Sequence, residues 1–334
     1  MSNVAQRDLN VVQLAFSAHR LETIPFYEKA WEASDFIILE EPPHPLFKRM
    51  LAGEVKTEVY LKSVESSFPA FSLASCKLLQ QFYSKGKQIE QIDPYLEKLI
   101  KIYQLIEEKK TPQDIKQTPG LTEVYEAEHL ASGRLISYYQ AVLGEFDQAV
   151  AAVKEFAKAD AKRIALRDKM RAQSVTEYLD NKDGHVFIET GYIHLFLSYY
   201  LCQILPRKWR VRAHFLLVTP ARKLAKEILG RPLPYPLVPG DMLTLWYIGK
   251  RKINRKWEDL FAARALIYNK LISTEELHPT DNVPYPHLTE EFKIKVMLRQ
   301  FDYNECARLF NIIKWLPREK AWEVLKRYGH VNPN

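Results

Sequence analysis

HVFIETGYIHLF, residues 185–196, decides how this chain is read. Its first four residues form a short apolar run of the kind found in buried strands. Gly191 follows, then His194, then a run with helical apolar spacing. A glycine and a histidine three apart, where a strand hands over to a helix, put an imidazole beyond the carboxyl end of a strand. Open parallel sheets bind their ligands there. Gly191 is expected to let the backbone turn off the strand. His194 is expected at the start of the following helix, whose positive end favours neutral imidazole, the form that binds a metal or accepts a proton.

Working outward, VVQLAF (11–16), DFIILE (35–40), KQIEQID (87–93) and WRVRAHFLLV (209–218) read as further strands. Between them, residues 19–34 and 69–86 have helical spacing, the second closed by Gly86. Residues 94–180 read as an all-helical insertion, interrupted at Thr111-Pro112 and Thr118-Pro119-Gly120. A helix is expected over 192–204. Another is expected over 219–230, with Thr219 as N-cap and Pro220 at its first position. The Pro-rich stretch 231–240 marks a boundary, and 241–334 reads as helices. The expected fold is α/β, a mostly parallel central sheet with flanking helices. One domain would span 1–230 with its insertion at about 94–180, and a mainly helical C-terminal region would span 231–334.

Composition narrows the class. In 334 residues, 47% are hydrophobic and 12% aromatic, which is globular rather than disordered. Cys76, Cys202 and Cys306 are scattered and form no CxxC, against a disulfide scaffold or structural zinc. No apolar signal core opens the chain and no apolar run reaches membrane-spanning length. A cytoplasmic protein with no membrane span is the expectation. The net charge of +7 is concentrated: residues 206–256 hold thirteen Lys/Arg against Glu227 and Asp241. Trp209, Phe215, Tyr235, Trp246 and Tyr247 are interleaved there, a mixture that suits phosphate contacts and base stacking. The aromatics also fall on core positions of strands and helices, and no nucleic-acid motif is present, so ordinary basic surface is the favoured reading.

By this strand reading, four polar side chains gather at one sheet edge. His19 follows the first strand, Glu40 and Glu41 end the second, and His194 follows the fourth. Two imidazoles and a carboxylate suit a divalent transition metal with positions left open for water or substrate. They serve equally as a metal-free acid/base site in which a carboxylate orients a histidine. A lone histidine after a strand is more often a surface residue; the shared placement carries the argument. Arg163, Arg167 and Arg171 share one helical face. Arg167 is assigned to the crevice as a clamp on the glutamate or an anionic substrate group, and the other two to a solvated stripe. Asp93 or Tyr95, after the third strand, is a further candidate. Glu126–His129 and Glu275–His278 have the spacing of di-iron helices. They read as an acidic helix face and a helix end.

The motifs together resemble the superfamily that joins TraB/PrgY-type pheromone-shutdown proteins, GumN and TIKI-type metalloproteases, with erythromycin-esterase and ChaN-type proteins as distant relatives. GYIH, Gly191 to His194, matches its second Gly-x-x-His. Glu40 in ILEEPP matches its strand-ending glutamate, and ALRDKM, with Arg167 and Met170, its Arg-x-x-Met helix. The first Gly-x-x-His corresponds to FSAH, which keeps His19 but has Phe16 in place of glycine. The resemblance covers roughly residues 8–215. It implies a site of His19, Glu40 and His194 with Arg167 beside it. In TIKI-type members such a site holds a divalent metal, here Mn, Co or Zn; in esterase-type members the histidine is a general base. The expected function is therefore a hydrolase of peptide or ester bonds, metal-dependent, acting on a peptide or small-molecule substrate. The alternative is a non-catalytic binding protein on the same fold, taking a small ligand in the crevice or a polyanion, such as nucleic acid, on 206–256.

Overall fold

The computed structural model describes residues 10–64, 66–231, 237–250, 252 and 254–331. Residues 232–236 of the Pro-rich boundary, Tyr235 among them, and Arg251 of the basic segment lie outside the described residues. Five strands form one sheet: β1 (Asn10–Ser17), β2 (Phe36–Leu39), β3 (Gln88–Gln91), β4 (His185–Gly191) and β5 (Trp209–Phe215). Their order is β3-β2-β4-β1-β5, and every neighbouring pair is parallel. The fold is α/β. β5 ends at Phe215 rather than residue 218.

Helices make the parallel crossovers, as they must. α1 (Ile24–Glu32) follows β1 after a 3-10 turn, Leu21–Thr23. α2 (Phe47–Leu51), α3 (Thr57–Val64) and α4 (Pro69–Ser84) join β2 to β3. Then come α5 (Pro94–Glu107), α6 (Pro112–Gln117), α7 (Thr122–Ala141) and the long α8 (Phe146–Tyr178). α9 (Phe196–Ile204) joins β4 to β5. After the sheet come α10 (Val218–Leu229), α11 (Pro239–Ile248), α12 (Arg255–Leu271), α13 (Pro286–Leu298), α14 (Tyr303–Ile313) and α15 (Arg318–Val331). α2 and α3 are too short for a 3.6-residue period to show in the sequence. α10 begins at Val218, so Thr219 lies inside its first turn instead of capping it.

Parallel sheets are covered on both faces, and their central strands read as continuous apolar runs. Side chains alternate between the faces. Val12, Leu14, Phe16, Ile38, Val186 and Ile188 pack with Ala172 and Val175 of α8 and Leu197 of α9. Ala15, Ile37, Leu39 and Phe187 pack on the other side with Tyr27 and Trp31 of α1 and Leu79 of α4. This parity governs the site.

The chain divides into two compact units. The first comprises residues 1–109, 166–219 and 276–278 and contains the sheet; the second comprises 110–165, 220–275 and 279–334. Most of the helical insertion thus belongs with the C-terminal helices. In the second unit Ala149, Val150 and Val153 of α8 share a core with Ile267 of α12, Leu309 of α14 and Leu325 of α15. In the first unit, Glu276 caps α4 from far along the chain, accepting hydrogen bonds from the backbone N–H of Ala70 (2.9 Å) and Phe71 (2.7 Å).

Candidate functional site

In an all-parallel sheet every strand ends at the same edge. β1 sends its connection past β4 towards β2, and β4 sends its own past β1 towards β5. The gap between β1 and β4 is therefore the point where the strand order reverses, the preferred ligand position of such sheets. His19 follows β1 here, and Glu189 lies in β4, with His194 just beyond.

The predicted residues separate into two clusters. On the α8 side, Glu40 Oε1 lies 2.9 Å from His194 Nε2 and 3.0 Å from Arg167 Nη2. Its Oε2 accepts the Gly191 N–H at 2.7 Å. The other ring nitrogen of His194, Nδ1, is 2.5 Å from Asp168 Oδ1. Arg167 donates to Asp93 Oδ2 through Nε (2.8 Å) and Nη2 (2.6 Å), and Asp93 also caps α5 through the Leu96 N–H. Arg171, 1% exposed, donates to the backbone carbonyls of Ile92 (3.1 Å) and Glu189 (2.7 Å). Far from a solvated stripe residue, it is a buried clamp across the ends of β3 and β4. Arg163, by contrast, pairs with Asp160 and Glu128 in the second unit.

On the α1/α4 side, His19 Nε2 meets Glu189 Oε1 at 3.1 Å, not Glu40. The Tyr27 hydroxyl donates to the same oxygen at 3.0 Å, and Ser17 bonds Tyr27 in turn. Glu189 Oε2 accepts the Glu40 N–H at 3.1 Å, which with the Arg171 bond to the Glu189 carbonyl links the clusters directly. The His19 ring stacks on Phe71 of α4, centroids 5.0 Å apart. His19 and Glu189, with Glu41, line a crevice of about 460 Å³ with Tyr60, Gln91 and Phe71. Glu40, Arg167, Asp168 and His194 do not line it.

The electrostatics follow the partners. Burial opposes charge on His19, yet the Glu189 carboxylate overrides it and pushes the imidazole up to about 9. Burial likewise opposes charge on His194, and Glu40 and Asp168 push it up to about 9. The neutral form expected from a helix terminus is thus outweighed by two carboxylates, and His194 ends a 3-10 turn ahead of α9. Glu40 is held well below the usual carboxylate range: burial works against this, but His194 and Arg167 prevail. Glu189 is lowered too, by His19 against its own burial. Glu41 is raised, by burial and by the charge of Glu189. Asp168 is raised by burial, and its Oδ2 has no hydrogen-bond partner among the described residues.

The glycine motifs act otherwise than expected. Gly191 has φ −68° and ψ 154°, ordinary extended backbone. A Cβ there would lie 3.6 Å from the His194 ring and 3.7 Å from Glu40, in normal contact. What the motif supplies is the Gly191 N–H for Glu40. Phe16, in place of glycine in the first motif, remains within β1, its ring fully buried against Phe215.

A metal held by His19, Glu40 and His194 needs the three to converge. Here both His194 nitrogens face carboxylates, Glu40 is already satisfied by guanidinium, imidazole and backbone N–H, and His19 is turned to Glu189. Among the described residues, no three His, Cys, Asp or Glu side chains are gathered as an ion would require. The donor set in this arrangement does not fit a divalent ion.

No family model matches the chain, and no solved structure matches it. It is similar to an uncharacterised protein of Archaeoglobus fulgidus, 29% identical over 308 residues. That match covers 92% of this chain and the whole of the relative, so it runs through both units.

The remaining candidates resolve simply. Tyr95 is fully buried. Glu126 pairs with Lys116 at the surface, and His129 is exposed. Glu275 and His278 lie in a loop, not on a helix. In the basic segment Trp209 is buried and Trp246 packs edge-on to Phe261, while Arg210, Arg212, Arg222 and Lys223 are exposed. Among the described residues no helix is long and apolar enough to cross a membrane. Sequence reasoning missed Glu189, Asp168 and Tyr27. Glu189 stands inside HVFIETGYIHLF, two residues after Phe187 and on the same face; that spacing was the available signal.

Proposed function

We propose that the chain is a metal-free hydrolase of ester or amide bonds, working through His19 and Glu189 in the crevice at the β1/β4 strand ends. The observation that carries this reading is the 3.1 Å contact between His19 Nε2 and Glu189 Oε1 at the wall of a 460 Å³ crevice. Glu189 is fixed by Tyr27 and by the Glu40 N–H, so it orients the ring without moving itself. Because Glu189 lifts the ring to about 9, His19 is the base in its neutral form, which grows as pH rises towards 9: it takes a proton from water as that water attacks the substrate carbonyl, and returns it to the leaving oxygen or nitrogen. The paired carboxylate stabilises the imidazolium formed in between. The order of motifs resembling the TraB/TIKI superfamily supports a hydrolase as well. The α8-side cluster, with Glu40, His194 and Arg167, acts as the scaffold behind the dyad.

The test is turnover of a panel of chromogenic esters and fluorogenic peptides, with and without chelator, by wild type, His19→Asn and Glu189→Gln. Turnover that survives chelation and falls on the order of 100-fold or more in both variants supports the reading. Turnover that chelator abolishes and Mn, Co or Zn restores would replace it with the metal-dependent hydrolase. Wild type without turnover on any substrate would leave the non-catalytic binding protein.

A further inference from the structure

The charge of the crevice lining is unbalanced. Of its acidic residues, Glu189 is matched by His19. Glu41 feels the same His19 charge only at longer range; its Oε2 accepts from the Gln91 amide at 2.7 Å and from the Tyr60 hydroxyl at 3.5 Å, both neutral donors. Gln91 is itself fixed, because its carbonyl accepts the His44 N–H at 2.9 Å. His44 also lines the crevice, its Nδ1 turned to accept the Leu46 N–H at 3.2 Å. No Lys or Arg is found among the described lining residues. One negative charge is thus left over in a half-buried site. The lining also holds apolar rings, Phe47, Phe68 and Phe71, of which Phe71 stacks on His19 and Phe47 packs on Tyr60.

We propose that this crevice selects ligands that carry a protonated amine beside an apolar, ring-sized group, the amine pairing with Glu41 and the ring lying against the phenylalanines. An ammonium donates to the Glu41 carboxylate, completing its coordination, in a setting where low dielectric strengthens the pair. A carboxylate or phosphate ligand would meet two carboxylates, and the cation beside them, His19, is already engaged by Glu189. The volume, about 460 Å³, is in the range of small-molecule sites. As a statement about substrates the proposal rests on the hydrolase reading; as a binding preference it stands without it.

Three probes of one shape separate the terms: phenylbutylamine, phenylbutanol and phenylbutyrate, titrated calorimetrically into wild-type protein near neutral pH. The amine is expected to bind about tenfold or more tighter than the alcohol, with the butyrate weakest. In Glu41→Gln the amine should fall to within about threefold of the alcohol, with an unchanged circular dichroism spectrum. Equal binding of amine and alcohol, butyrate binding as tight as amine, or no binding of any probe to wild type would overturn the proposal. The wild-type ranking depends on no variant. Amine selectivity without turnover of any ester or amide would refute the hydrolase and keep this inference. Turnover without amine selectivity would do the reverse.

Discussion

Arg163 and Arg171 lie two turns apart on α8 and are indistinguishable by sequence spacing, yet the same substitution at each should have very different cost. Arg171→Met removes two charge-assisted hydrogen bonds, to the carbonyls of Ile92 (3.1 Å) and Glu189 (2.7 Å), and a guanidinium nitrogen 3.7 Å from Glu40 Oε2. Methionine can fill the space but cannot donate. Two buried carbonyls left unpaired cost roughly 1–3 kcal/mol each. Relief of the guanidinium desolvation offsets part of that, and removing one partner of a buried pair costs about 3–5 kcal/mol as a whole. The expected loss is therefore about 3–4 kcal/mol. Arg163→Met touches a pair whose arginine side chain is 28% exposed, and should cost about 1 kcal/mol or less. Because the chain has two units, global unfolding is an unsuitable readout. Native-state hydrogen exchange of peptides covering 185–191, followed against urea, reports the sheet directly. A loss under about 1 kcal/mol for Arg171→Met, or equal losses for both variants, would refute the clamp.

Two further outcomes follow from single contacts. Gly184, before β4, has φ +126°, and a Cβ there would come 2.6 Å from Asp35 Oδ2, which accepts the His185 N–H. Gly184→Ala should destabilise the first unit by about 2–3 kcal/mol, read by the same exchange peptides; an unchanged value would be inconsistent with that geometry. In the second unit, burial and the charges of Glu291 on α13 and Asp160 on α8 raise the Asp241 carboxyl to about 7, with Lys295 opposing. The folded chain then holds a proton that the unfolded chain releases near pH 4. Stability of this unit should fall as pH rises from about 4 to 7, by up to about 1.4 kcal/mol per pH unit. Asp241→Asn should flatten that slope in exchange peptides from α11 and α13, and a slope unchanged in the variant would count against it.

What the sequence reveals about this fold is what has a period. β1, β2 and β4 are apolar runs of strand length, and α8 and the C-terminal helices are long enough to show helical spacing, so architecture and strand direction can be read directly. The site edge is legible for the same reason: parallel strands deliver their carboxyl ends together, and His19, Glu40, Asp93 and His194 all lie there. Pairing across that edge is not legible from proximity alone. Glu40 continues the parity of Phe36 and Ile38 and faces α8, whereas Glu189 continues that of Phe187 and faces α1. His19 therefore finds Glu189, and Glu40 finds His194. Which arginine of the 163/167/171 series is buried depends on the path of a 33-residue helix that serves two units, and no local spacing encodes that.

The same parity explains why so many charges are buried next to one small crevice. Glu40, Asp93 and Asp168 face Arg167, Arg171 and His194 on the α8 side, carboxylate against cation throughout. Such a network contributes little net stability after desolvation, so its value lies in position. Two of its groups act directly on Glu189: the Glu40 N–H holds its carboxylate, and Arg171 holds its backbone carbonyl. The carboxylate that orients His19 is thus gripped from behind the sheet by residues that never reach the crevice. Substitutions of Glu40 or His194 should then act on turnover through Glu189, lowering it even though neither side chain lines the crevice. A chemical rather than a positioning role for His194 would show instead as rescue of His194→Ala turnover by added imidazole, with Glu189→Gln unrescued.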